Sequence, residues 1–365
     1  MRGRQRSNFW HGAVKRLIIR VILTGVLASP SAMAWPDGLF VVNRGDHSAN
    51  LIHLPDGERS QSLDAGVGPA EISISSGGTR AAVSLYGLDD ASGNRIAVFD
   101  LVNKTPPRFI NLGAYRHPYG IAWRADNRHL LVVSRTRRAL VEIDVDSGEV
   151  LRAIPTHQED SRFLALDERR GQAYVVNRAS GSISVIDLIG GRFARMVKVG
   201  EGSEGIALSP DGHQVWVVNG ASNSVTVLDG DTLRPIVELP TGNSPSRIAF
   251  TPDGTVVGIT NRWSSTVSLF DTLKLEPIGT VRLRDAFSLK AGEWLGGGLG
   301  WFANPTGIAA EPQSRYFFVT GNYSGVVYMI DIAERRVAKT FPAGRRPNNL
   351  AWIPAAADNA ISTAK

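Results

Sequence analysis

The sequence predicts an all-β fold: a seven-bladed β-propeller of four-stranded antiparallel blades, closed by the C-terminal strand joining the N-terminal blade. Three observations carry this. Apolar runs that end in a small or polar residue recur with a period near 42; Asn177, Asn219 and Asn261 are 42 residues apart. Each period holds four strand-like segments separated by turn residues, and helical periodicity is missing nearly everywhere after residue 35. The last segment, "NLAWIP" (349–354), repeats the first strand of a unit with no strands after it.

The elements follow in chain order. Residues 1–34 read as a cleavable secretory signal. Arg2, Arg4, Arg6, Lys15, Arg16 and Arg20 precede the apolar run "VILTGVLA", and Ala32 and Ala34 flank Met33 at a small-residue cleavage site. That run is far shorter than the ~20 residues of a spanning helix, so no membrane span is expected in the mature chain. The formal net charge is +6, and these six basic residues account for it. A near-neutral mature chain from Trp35 gives no bulk-charge support to nucleic-acid or membrane-surface binding. The chain has no cysteine, which excludes disulfides, thiolate metal sites, a cysteine nucleophile and thioether-linked haem. The expected location is the periplasm. The propeller is expected over 35–354, and 355–365 reads as a disordered tail.

Within a unit, "GIALSP" alternates as a strand, Asp211-Gly212 turns the chain, and "QVWVVN", "SVTVLD" and "PIVELP" follow. "SPDG" (209–212) and "TPDG" (251–254) have the composition of tight hairpin turns. Asp100, Asp144, Asp187, Asp229, Asp271 and Asp331 end the third strand of their units and read as turn caps rather than as a row of acids. The small or polar residues that end the apolar runs align as Asn43, Ser84, Ser134, Asn177, Asn219, Asn261 and Thr320. Seven innermost strands carry a small residue at one position: Ser73, Ala122, Ala165, Ala207, Ala249, Ala309 and Ala351. Blades crowd most closely near the axis, so small residues belong there.

"YVVN" (174–177), "VWVVN" (215–219), "SPDG", "SVTVLD" and "GIALSP" together resemble the YVTN-type β-propeller repeat family over roughly residues 38–354. The resemblance implies a seven-bladed propeller of an exported branch. Members of such families include lactonases, subunits of periplasmic amine dehydrogenases, surface-layer proteins and binding scaffolds, so fold alone leaves the chemistry open.

The loops joining second to third strands and blade to blade should share one face, the mouth. Arg44, Arg135, Arg178 and Arg262 follow second strands there, and Arg162 and Arg247 begin innermost strands; Arg116, Arg345 and Arg346 lie in neighbouring loops. Arginine grips carboxylates and phosphates through paired N–H donors, so this ring is a candidate anion site. Glu71, Glu204, Asp89, Asp90, Glu159 and Asp160 map to the same face and offer pairing partners instead. Two long loops depart from the repeat. One is 86–94. The other, 284–304, carries Trp294 and Trp301 around Gly296–Gly298, and reads either as a lid or as a self-packed loop.

His47, His117 and His157 fall on the mouth face without metal-binding spacing, and neither a G-x-S-x-G elbow nor a P-loop is present. No metal, no cofactor and no catalytic residue is assigned. The favoured function is a periplasmic binding or scaffold protein, holding an anionic small molecule or a periplasmic protein partner. The alternatives are a lactonase-like hydrolase using Glu71, Glu204 or His117, and a propeller subunit of an amine dehydrogenase-like redox system. Single-stranded nucleic acid is disfavoured as a partner.

Overall fold

The computed structural model describes residues 38–60, 62–88, 93–103, 105–283 and 302–353. All of them fall within one unit, Ala34–Lys365. The signal segment, the C-terminal tail, Asp89, Asp90, Trp294, Trp301 and nearly all of the 284–304 insertion lie outside the described residues.

Those residues form seven four-stranded antiparallel sheets and no helix. Blade 1 is built from both ends of the chain. Its innermost strand is Pro347–Ile353, which pairs with Gly38–Asn43. Innermost strands Pro69–Ile74, Pro118–Trp123, Ser161–Asp167, Ser203–Leu208, Pro245–Phe250 and Pro305–Ala310 open blades 2 to 7. Each packs against the next, and that of blade 7 packs against that of blade 1, so the ring closes. Closure ties both terminal strands into one blade, and the outermost strands that remain as edges carry charge, as Arg192–Lys198 does.

Between blades, the second strands supply large side chains. Phe40, Tyr174, Trp216 and Phe318 are all essentially buried. Trp216 of blade 5 meets Phe250 and Phe270 of blade 6 edge-on, at 6.0 and 5.8 Å between ring centres. Burying one such side chain is worth roughly 1.5–3 kcal/mol. The repeated asparagine has a separate task. Asn43, Asn177, Asn219 and Asn261 are fully buried. In blade 5, Asn219 Nδ2 donates to Ser224 Oγ and Thr226 Oγ1 (3.1 and 2.9 Å), and its Oδ1 accepts the Gly200 N–H (3.1 Å). One amide thus ties the second strand, the third strand and the incoming blade-to-blade loop.

The structure corrects two positions in the repeat alignment. The second strands of blades 2 and 7 end at Leu85 and Gly321, so Ser84 and Thr320 sit one residue earlier than the asparagines. Both hydroxyls have another use. Every innermost strand shifts register at its mouth end, and in blades 2, 6 and 7 the N–H of its third residue turns to a side-chain hydroxyl. Ser84 Oγ accepts that N–H from Glu71 (3.1 Å), Thr260 Oγ1 from Arg247 (3.1 Å) and Thr320 Oγ1 from Gly307 (2.7 Å).

Candidate functional site

The register shifts aim the second and third residues of each innermost strand toward the axis, where they build the floor of the mouth. Read around the ring from blade 2, the third residues are Glu71, Gly120, Phe163, Gly205, Arg247, Gly307 and Asn349. Large and absent side chains alternate for a packing reason. A Cβ on Gly120 would lie 2.9 Å from Phe163 Cα, on Gly205 3.1 Å from Arg247 Cα, and on Gly307 2.7 Å from Asn349 Cα. Each glycine lets the next blade's strand come close and send its own side chain inward. The alternation breaks once, between blades 1 and 2, where Asn349 Nδ2 donates to Glu71 Oε2 at 2.9 Å.

These side chains plug the axis. Arg247 Nη2 pairs with Glu71 Oε1 from across the ring. The Arg247 guanidinium lies over the Phe163 ring, 3.9 Å from its centre, and 5.9 Å from that of Tyr119. Burial pushes the Glu71 carboxyl above its ordinary value, against the pull of Arg247.

Above the plug runs a ring of charge. Glu204 is buried and receives three arginines: Arg262 Nη2 at 2.9 and 3.0 Å to its two oxygens, Arg178 Nε at 3.0 Å and Arg162 Nη1 at 3.9 Å. Asp160 takes Arg135 Nε at 2.7 Å and Arg162 Nε at 3.0 Å, with Arg178 Nη1 at 3.9 Å. Burial acts to raise the Asp160 pKa, but Arg162 and Arg135 outweigh it and hold the carboxyl below its ordinary value. Arg135 Nη1 also donates to the Tyr86 hydroxyl (2.5 Å), and Arg44 lies over the Tyr86 ring at 5.4 Å. The eight sequence candidates among the described residues therefore share one mouth, where five of the six arginines pair with Glu71, Asp160 or Glu204 and Arg44 reaches the Gly87 carbonyl instead. Two donors, Arg247 Nε and Arg262 Nε, are buried with no acceptor among the described residues.

Tyr86, Tyr119, Phe163 and Asn349 were not singled out from the sequence. The last three stand in the same strand positions as Arg162, Glu204, Glu71 and Arg247, so comparing whole columns of the repeat would have found them.

Two pockets open at the mouth. One of about 480 Å³ is lined by His117, Arg135, Thr136, Arg138, Glu159, Asp160 and Ala179. The other, of about 260 Å³, lies where blades 1 and 2 meet. All three mouth histidines have engaged rings. His117 Nδ1 is 2.8 Å from Thr136 Oγ1, His47 Nδ1 accepts the Gly68 N–H at 3.3 Å, and His157 packs edge-on against Phe193. No cluster of metal-ligating side chains occurs among the described residues.

Comparison with known proteins adds a family. The family described as "Cytochrome D1 heme domain" matches residues 123–353. No curated relative matches. Among solved structures, a functionally unknown protein from Desulfotomaculum acetoxidans superposes with a TM-score of 0.67 at 15% identity, covering 88% of this chain and 99% of that one. Hydrazine synthase from Kuenenia stuttgartiensis gives 0.65 at 16%, covering 86% and 99%. Both likenesses are of fold.

Proposed function

The chain belongs to the cytochrome D1 heme domain family, and on that premise we propose that it is an exported binding or scaffold propeller whose mouth holds an anionic ligand or an acidic partner surface. The family's name implies a haem. The described residues do not fit one: Arg247, Glu71, Phe163 and Asn349 fill the axis where a macrocycle would need space, and the mouth above them is charged rather than apolar. No step is therefore routed through a haem.

The observation that carries the reading is the crowding of arginine at the mouth: Arg44, Arg345 and Arg346 line one pocket there, beside five arginines that already pair with Glu71, Asp160 or Glu204. An anion supplies acceptors that the chain itself does not. Residues 1–34 support export, and the repeated buried asparagine supports the YVTN-type reading of the repeat. The test is a thermal-shift series on the purified chain with citrate, inorganic phosphate and an acidic peptide, against chloride at matched ionic strength. Stabilisation by at least one of them is expected. A flat response to all three sinks the reading.

A second reading has one specific observation behind it. His117, Asp160 and Arg135 line one pocket, which places a histidine and a carboxylate beside an arginine, as a lactonase-like hydrolase would use. Lactone turnover that disappears in His117→Ala would favour it over binding alone.

A further inference from the structure

The mouth arginines fall into two sets. Arg135, Arg162, Arg178 and Arg262 already bond to Asp160 or Glu204, and Arg247 to Glu71. Across the mouth, where the two ends of the chain close blade 1, Arg44, Arg345 and Arg346 line the pocket of about 260 Å³ with Gly45, His47 and Leu88. Asp46 is the one carboxylate recorded against these three among the described residues. It lies 3.9 Å from Arg345 Nε, and its other oxygen takes the Arg345 backbone N–H at 2.6 Å.

The pocket is held firmly. Arg44 Nη2 donates to the Gly87 carbonyl (3.1 Å) while its guanidinium lies over Tyr86. The Arg44 and Gly45 N–H groups bond to the carbonyls of Arg346 and Arg345 at 3.0 and 2.9 Å. A Cβ on Gly45 would fall 2.8 Å from the Arg345 carbonyl oxygen, so the close approach of these loops needs glycine. Because His47 Nδ1 accepts the Gly68 N–H, the neutral ring carries its proton on Nε2 and keeps a donor there.

We propose that this pocket binds a phosphoryl group. The proposal rests on the reading that the mouth takes anions, and narrows it to the blade 1–2 junction. Three arginines and a histidine line one small pocket, and their several N–H donors suit a group with three acceptor oxygens better than a lone carboxylate. Among the described residues, the loop at 44–47 follows the first strand and the loop at 345–346 precedes the last, so a bound phosphate bridges the two strands that pair to close blade 1.

The test is to melt the full chain in inorganic phosphate, acetate and chloride at matched ionic strength. Titration calorimetry with phosphate accompanies the melts. Phosphate is expected to raise Tm above both other anions. The double variant Arg345→Gln/Arg346→Gln, at two exposed side chains, is expected to lose that rise and to bind phosphate at least roughly tenfold more weakly. Arg137→Gln, exposed on the blade 3 side of the mouth, should leave it intact. A phosphate effect that survives in the double variant overturns this site but leaves the mouth reading standing. No effect of phosphate on the native chain, with citrate or the acidic peptide still stabilising, also overturns this site alone. No effect of any anion removes both. Sedimentation with phosphatidylglycerol vesicles separates the sources of the group. Phosphate binding without pelleting assigns a soluble ligand, and pelleting lost in the double variant assigns a lipid headgroup.

Discussion

The two ends of the propeller differ in which acids repeat. Away from the mouth, the aspartates that end third strands close their own hairpins, while Asp146, Glu168 and Asp231 beside them pair with arginines of neighbouring blades. Asp100 Oδ1 accepts the N–H groups of Val102 and Asn103, Asp144 those of Asp146 and Ser147, and Asp271 those of Leu273 and Lys274. The same bond to backbone two or three residues on recurs from blade to blade. At the mouth, Glu71, Asp160 and Glu204 each reach to other blades, and Asp160 and Glu204 share Arg162 and Arg178. Repeated chemistry marks what holds a blade together, and unrepeated chemistry marks what the ring does as a whole.

That contrast is broken first at the plug. Glu71→Ala leaves the Arg247 guanidinium buried without its partner, and should cost about 3–5 kcal/mol in chemical denaturation. Replacing both residues by apolar ones of similar volume should recover most of that loss. If the single variant melts like the parent, the plug is ornamental and the two ends do not differ as described. A smaller effect comes from the glycine column. In Gly205→Ala the new methyl would meet the Ser246 carbonyl oxygen at 2.6 Å and Val218 Cγ2 at 2.8 Å, at an expected cost of about 1–3 kcal/mol. Gly77→Ala, in a hairpin at the opposite end, meets nothing closer than 3.9 Å and should change the denaturation midpoint little. Equal losses would remove the packing argument for the alternation.

The smallest effect is one of pH. Backbone N–H donors and then Arg128 hold the Asp144 carboxyl down, from an ordinary 3.8 to about 2. A depressed carboxylate contributes stability that is present above its unfolded value and is lost as pH falls through the folded one. The parent should therefore lose stability relative to Asp144→Asn between about pH 4 and 2, and a parent-to-variant difference that stays constant over that window would refute the assignment.

The fold was legible because its signals are local and repeat. Strand alternation, Asp-Gly turns and the 42-residue spacing do not depend on distant residues. The misread positions, Ser84 and Thr320, are places where a hydroxyl ends the apolar run one residue before the strand ends, because an N–H on the neighbouring strand needs it. Sequence showed which residues face the mouth but not which pair. Glu71 and Arg247 are far apart in the chain, and their meeting depends on the diameter of the closed ring and on glycines in between.

The interrupted alternation has a consequence of counting. Two kinds of residue can alternate without fault around an even ring, but seven is odd, so one pair of like neighbours is unavoidable. Here the fault falls between Asn349 and Glu71, beside the junction where the chain's ends meet, and a hydrogen bond makes it a favourable contact. The fault travels with the blade order: a circular permutant keeps it between the same two strands, so the Asn349–Glu71 contact marks one fixed point on the ring wherever the chain is opened.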